Sequence, residues 1–283
     1  MNHNYKLTDE QIEKVKVLAE NARRDLGVFP NVPVADDINM LIEKKNIYIC
    51  EYPFQTSEGS HTDATITWFE TNNGPMTFIG LNSALFFDEQ VFALAHELYH
   101  FQTKTGKAYI NELDEEDTAT ERMADRFAAE LLLPRDELRS SVRLEFPNEA
   151  IKEANILRIL RFIARLQCKW WLPYQSIVLR LYEEGHIEKC LYDQLYSIDA
   201  RAENSEYGKI LKSIDEEKYK RFNTRTKRKR ISTCVLEIII QNFEDGIIGE
   251  DEFVECLEVF GHTPEDFGFT IRKEEDADLN LLF

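Results

Sequence analysis

Residues 92–101 read FALAHELYHF, and the two histidines that flank HExxH are the part of this chain whose types and spacing can do chemistry. His96 and His100 stand about one helical turn apart, so both imidazoles project from one face and can reach a single ion. Zinc prefers nitrogen donors in a tetrahedral array, and this pair supplies two of its corners. Glu97, one position along, is poorly aimed to ligate but can take a proton from an attacking water, which is the general-base role in hydrolysis. The pattern arises by chance in roughly one chain in a hundred of such composition, so its surroundings decide. Val91, Leu94, Ala95 and Leu98 form an apolar stripe nearly opposite the histidines, and Phe92, Tyr99 and Phe101 fill much of the remainder. A helix buried over most of its circumference that carries three ionisable groups needs partners for them, and a metal provides them.

A catalytic zinc takes three protein ligands and keeps a fourth position open. The segment TERMADRFAAELLLP, residues 120–134, is strongly helical and follows the histidines closely. Within it Glu121 and Asp125 share a face with Ala124 and Ala128, whose small side chains let a neighbouring helix approach. Glu121 is therefore the expected third ligand, with Asp125 accepting a hydrogen bond from the distal N–H of a ligand histidine. The acids of ELDEED, residues 112–117, are alternative ligands. One Zn2+ per chain is expected, although the same donors accept other divalent ions. For the oxyanion of a tetrahedral intermediate the candidates are His61, in the polar loop SEGSHTD, and Tyr99; a solvated loop histidine is the plainer reading of His61.

Several elements must hold these residues. Thr8 with Gln11 makes a capping box that opens a helix ending near Gly27, and residues 34–45 read as a second helix. NIYICEY at 46–52 has the β-branched and aromatic bias of a strand. DATITWFE at 63–70, the turn residues TNNG and the strand-like MTFIGL at 76–81 predict a β-hairpin. From Asp88 onward the pattern is helical, with helices expected at 135–142, 149–167, 174–184, 188–196 and 231–240, and one strand-like stretch, FTIRK, at 269–273. The fold class is α+β: a small antiparallel-containing sheet, then helices. The polar composition of 199–230 suggests a soft boundary near residue 200, giving segments 1–145, 146–200 and 201–283.

At 283 residues with 43% hydrophobic and 30% charged content, the chain is long enough to bury a core. Its net charge of −18 opposes a phosphate backbone, so direct nucleic-acid binding is not expected. The exception is KRFNTRTKRKR at 220–230, read foremost as a solvated linker or helix face turned to the acidic remainder. No apolar run is long enough to span a membrane, the start lacks a secretory pattern, and five scattered cysteines without CxxC spacing suit a reducing compartment. A cytoplasmic protein is expected.

HELYH, preceded by FIGLN ending at Asn82 and followed by ExxADRFAAELLLP, resembles the ImmA/IrrE family of HExxH metallopeptidases, and WLPYQSIVLRLYEEGHI (171–187) is similar to the helical segment that follows that core. The resemblance is strong over 77–134, extends over about 5–200 and fades beyond. It implies a zincin-like pair of active-site helices packed on the sheet, a gluzincin-like glutamate ligand, and a helix-turn-helix repressor as protein substrate, cleaved to relieve repression. Three positions depart from the family pattern: Tyr99 where glycine is usual, Met123 where glutamate is frequent, and Asp125 where asparagine is common. None removes a ligand or the base, but the Tyr99 ring beside His100 narrows what the cleft can admit. The competing expectation is a non-proteolytic anti-repressor, or a toxin-antitoxin-type binding protein, whose metal is structural.

Overall fold

The computed structural model describes residues 6–54, 62–71, 74–105, 115–147, 151 and 154–271. The chain divides into two compact units, Met1–Arg228 and Lys229–Phe283. In the first, helix α1 (Asp9–Asp25) opens on the expected capping box, with the Thr8 hydroxyl accepting from the Gln11 N–H at 3.2 Å and the Gln11 side chain accepting from the Thr8 N–H at 2.8 Å. A short 3-10 turn at Ala35–Asp37 and α2 (Ile38–Glu43) lead into β1 (Ile47–Tyr52), followed by β2 (Ala64–Thr71) and β3 (Gly74–Asn82). These strands lie in the order β2-β3-β1, with β2 antiparallel and β1 parallel to β3. The hairpin and the α+β class are as the residue pattern predicts, and the sheet is mixed.

Alternation decides which face of the sheet is covered. Ile47, Ile49, Ile66, Ile79 and Leu81 are all buried, and α3 (Phe87–Thr103) packs on β2 and β3. Helix α4 (Glu115–Leu132) lies against α3 on one side and α1 on the other. Ala124 and Ala128 are fully buried in that packing, as their size predicts. Arg23 of α1 closes the end of α4: its guanidinium donates to the Leu131 carbonyl at 2.5 Å and to the Phe29 carbonyl at 2.7 Å.

The remaining helices of this unit are α5 (Arg135–Glu145), α6 (Ile156–Trp170), α7 (Tyr174–Glu183), α8 (Lys189–Tyr196), α9 (Glu206–Ile214) and α10 (Glu216–Phe222). Helix α6 starts at Ile156 rather than at 149, because Asn155 caps it by accepting from the Leu157 N–H at 2.8 Å. Trp170 and Trp171 are core residues. Polar as 199–228 is, Tyr207, Leu211 and Phe222 bury themselves in the core of the first unit. Tyr207 donates to Gln167 at 2.6 Å, Gln167 donates to Asp88 at 3.2 Å, and Arg201 donates to Asp88 at 2.8 Å, so α9 and α6 are tied to the first turn of α3.

The basic run is largely stitched down. Arg221 pairs with Asp36 at 2.9 Å, the Lys227 N–H donates to the Ser83 carbonyl at 2.7 Å, and the Ser83 hydroxyl donates to the Arg228 carbonyl at 2.6 Å. The second unit holds α11 (Thr233–Glu244), α12 (Glu250–Val259) and a 3-10 turn at Pro264–Phe267. FTIRK does not form the expected strand over its described part. The Phe269 ring stands edge-on to Phe243 and Phe253, so side-chain packing sets this backbone, and 272–273 lie outside the described residues. Among the described residues no helix is long and apolar enough to cross a membrane.

Behind α4 a buried ionic cluster joins three helices. Arg126 contacts Glu130 at 2.7 Å, Glu183 at 2.6 Å and Glu184 at 2.5 Å, and Glu184 also meets Arg135 at 3.0 Å. Burial opposes ionisation of Glu184, but Arg180, Arg126 and Arg135 outweigh it and hold its carboxyl at about 2 instead of the ordinary 4.5. A depressed folded pKa gives stability that is present above the unfolded value and is lost as pH falls toward the folded one. The thermal midpoint is therefore expected to drop between pH of about 4.5 and about 2, and Glu184→Gln to lower stability at neutral pH while flattening that acid limb; calorimetry across this range checks both.

Candidate metal centre

Helix α3 presents His96 and His100, and the side of α4 facing it presents Glu121 and Asp125. The His96 and His100 Nε2 atoms are 3.2 Å apart. One Glu121 carboxylate oxygen lies 3.1 Å from His96 Nε2, and the other lies 3.4 Å from His100 Nε2. One donor atom from each residue falls within 4.8 Å of the others, and this is the group that could hold a metal ion among the described residues. The structure thus brings together the three expected ligands. The alternative acids at 112–114 lie outside the described residues, as do the side chains of 115–117.

The far nitrogens explain why these donors converge. His96 Nδ1 is 3.1 Å from Asp125 Oδ1, the expected acceptor, and His100 Nδ1 is 3.1 Å from the Thr105 hydroxyl. In the tautomer in which each Nδ1–H donates outward, both Nε2 lone pairs and a Glu121 oxygen point at one another, an arrangement that repels unless a cation or a proton lies among them. Nitrogens about 2.05 Å from a tetrahedral zinc stand about 3.3 Å apart, close to the spacing seen here. The donor set fits the ion. The same donors also attract a proton. Burial works against charge on His96, yet Asp125 and Glu121 push its pKa up to about 10. Burial and the charge of His96 push His100 down to about 4.

Glu97 is 7% exposed. Burial, with the nearby Glu121, raises its pKa to about 7, while His96 and a hydrogen bond from the Ile66 N–H pull the other way. A carboxyl poised near neutrality can both accept and return a proton. Its anchor at Ile66 is the strand β2, which sits at the end of the strand order.

Tyr99 is buried, with its ring against Phe127 and edge-on to His100. Burial and the Glu121 charge raise its phenol pKa, so it is a neutral donor. His61 lies outside the described residues. Two participants escape a reading of the sequence. Thr105 follows the helix end, where Lys104 adopts a left-handed φ of 54° and turns the chain back under His100; a threonine beyond a helix carries no periodic signal. Arg122 pairs with Asp125 at 3.5 Å and with Glu183 at 3.7 Å, and an arginine beside a ligand reads as surface.

Two packed helices thus bring together two imidazoles and a carboxylate that could hold a metal ion, with a glutamate anchored to a neighbouring strand. Residues 42–180 match the family model of the IrrE N-terminal-like domain, a peptidase family, so this part of the chain carries a domain of that family. No curated protein gives a significant match. Among solved structures a Mycobacterium tuberculosis transcriptional regulator is similar at 15% identity and a TM-score of 0.38, over 61% of this chain and 48% of that one, so the chain spans about half of that protein's length.

A zinc ion held by these donors is expected at one per chain and to be lost in His96→Ala and Glu121→Ala. Thr105→Ala is expected to keep the fold and weaken zinc by about ten-fold. Metal analysis with competition against a chromophoric chelator checks all three.

Proposed function

We propose that the protein is a single-zinc endopeptidase that cuts a protein substrate, with His96, His100 and Glu121 as ligands, Asp125 orienting His96, and Glu97 as general base. The observation that carries this reading is the combination of three convergent metal donors with a separate buried carboxyl, Glu97, held beside them by the Ile66 N–H, because a purely structural ion needs no such base. A divalent ion there would supply a Lewis acid for the scissile carbonyl and make water a competent nucleophile at neutral pH. Glu97 takes the proton of the attacking water and hands it to the departing amine. The Ile66 N–H keeps Glu97 oriented, and the neutral Tyr99 hydroxyl is the candidate donor to the developing oxyanion. His61 keeps the same candidacy. The edge of β2 suits an extended substrate, whose backbone can pair there without demands on sequence.

The preferred substrate is a helix-turn-helix repressor, supported by the likeness of HELYH and ADRFAAELLLP to ImmA/IrrE proteins, and the cytoplasm suits the five free thiols. Glu97→Gln is expected to retain zinc and lose hydrolysis by about a thousand-fold. The test incubates zinc-loaded wild type and Glu97→Gln with the repressor encoded nearby, with and without chelator, and reads fragments by mass spectrometry. Chelator-sensitive cutting by wild type alone is the expected result. A stable complex without fragments would replace the peptidase with a non-proteolytic anti-repressor, and cutting by Glu97→Gln would remove that residue as the base.

A further inference from the structure

A cavity of about 300 Å³ adjoins the metal centre. It shares Asp125 with the shell around His96, reaches Phe92 one turn before His96 on α3, and touches Asp63, the residue before the edge strand β2. A peptide extended along β2 toward the histidines therefore has one end at this cavity. Leu85, Phe92, Ala129 and Leu179 give it apolar walls. That volume holds a large side chain.

Its charges narrow which one. Four carboxylates line it, those of Asp63, Glu89, Asp125 and Glu183, against the three guanidiniums of Arg122, Arg126 and Arg180, a net of −1. Every one of the carboxylates has a partner: Asp125 has His96, Glu183 has Arg126 at 2.6 Å, Glu89 has Arg201 at 3.0 Å, and Asp63 is engaged as well. Arg126 is saturated by Glu130, Glu183 and Glu184. Arg180 is fully buried, with its charge against Glu130 at 3.1 Å and with its Nε, like that of Arg122, enclosed without an acceptor. Arg122 differs at its terminal nitrogens. Its two ion pairs, at 3.5 and 3.7 Å, are longer than hydrogen bonds. It is a charged donor beside the cavity with hydrogen bonds still to make.

We infer that this cavity receives a substrate side chain flanking the scissile bond, and that Arg122 selects a neutral carboxamide there, glutamine or asparagine, over acidic, basic and purely aliphatic residues. The inference rests on the peptidase reading above and names a preference of that same site. A carboxamide oxygen accepts from the Arg122 terminal nitrogens without adding charge, and the methylene stem lies along the apolar walls. A carboxylate enters surroundings already net negative. A cation finds no carboxylate without a partner and meets three guanidiniums.

The test digests a random peptide library with the zinc-loaded full chain and reads residue frequencies around each cut by mass spectrometry, for wild type, Arg122→Met and Ala129→Leu, with zinc content and thermal midpoint measured on each. The expected wild-type result is enrichment of glutamine and asparagine over leucine and glutamate at one flanking position, by about ten-fold or more. Arg122→Met is expected to erase that preference among the cuts it makes, whatever their overall rate. Ala129→Leu, which fills the cavity and leaves Arg122 in place, is expected to disfavour glutamine relative to small residues. Cutting without a carboxamide preference, or a preference unchanged in both variants, overturns the inference and leaves the peptidase standing. No cutting of any peptide by zinc-loaded wild type overturns the peptidase reading itself, and this inference with it.

Discussion

Three lone-pair donors held at contact distance set the terms for the rest of the first unit. His96, His100 and Glu121 converge across spacings of 3.1 to 3.4 Å, which only a cation or a shared proton reconciles, so something must hold α3 and α4 together at that point. The helices can come close because Ala124 and Ala128 present almost nothing to the contact. The rings stay turned inward because Asp125 and Thr105 hold their far nitrogens. Of these two supports, the aspartate sits one turn along the same helix as the ligand Glu121. The threonine depends on a left-handed turn at Lys104 that a β-branched residue would resist.

Packing alone does not fix where Glu121 points. A helix with an apolar stripe as smooth as Ala124, Phe127, Ala128 and Leu131 can rotate or slide on a neighbour with modest loss, whereas a rotation by one residue carries a ligand about 100° away from the ion. Arg126 opposes this. Lying on the same helix as the ligand, it is held at once by Glu130, Glu183 and Glu184, and Arg23 grips the Leu131 carbonyl at the helix end. Buried ion pairs of this kind add little net stability, since desolvation offsets attraction. Their directional contacts do specify one register, which is what a metal site requires.

The parts of this arrangement that were legible in the sequence are those with a period. The hairpin, α3 and α4 announce themselves through alternation and through a spacing of three and four, and HExxH with Glu121 and Asp125 falls on faces that helical geometry alone brings together. The parts that were not legible have their information elsewhere. Residues 199–228 look like a polar linker because only Tyr207, Leu211 and Phe222 carry their burial, at intervals too irregular for a stripe, and because Arg201 hides its charge on a buried Asp88. The cluster around Arg126 is written in residues whose ordinary place is the surface. FTIRK has strand-like composition, yet Phe269 serves an aromatic cluster.

The same contrast bears on how a proteolytic centre acquires selectivity. On the proposed reading, the metal donors, the base and the strand edge would make no distinction among peptides, since each engages the backbone or the scissile bond itself. Discrimination has to come from side chains that the reaction does not consume. In this chain the residue after Glu121 is an arginine that reaches both Asp125 and Glu183 without hydrogen-bonding to either. A guanidinium tied off fully, like that of Arg126, is inert to a substrate, and one left in water is indifferent to it. Arg122 lies between these states, largely desolvated and held by contacts longer than hydrogen bonds, which is why the proposed selectivity is placed on it.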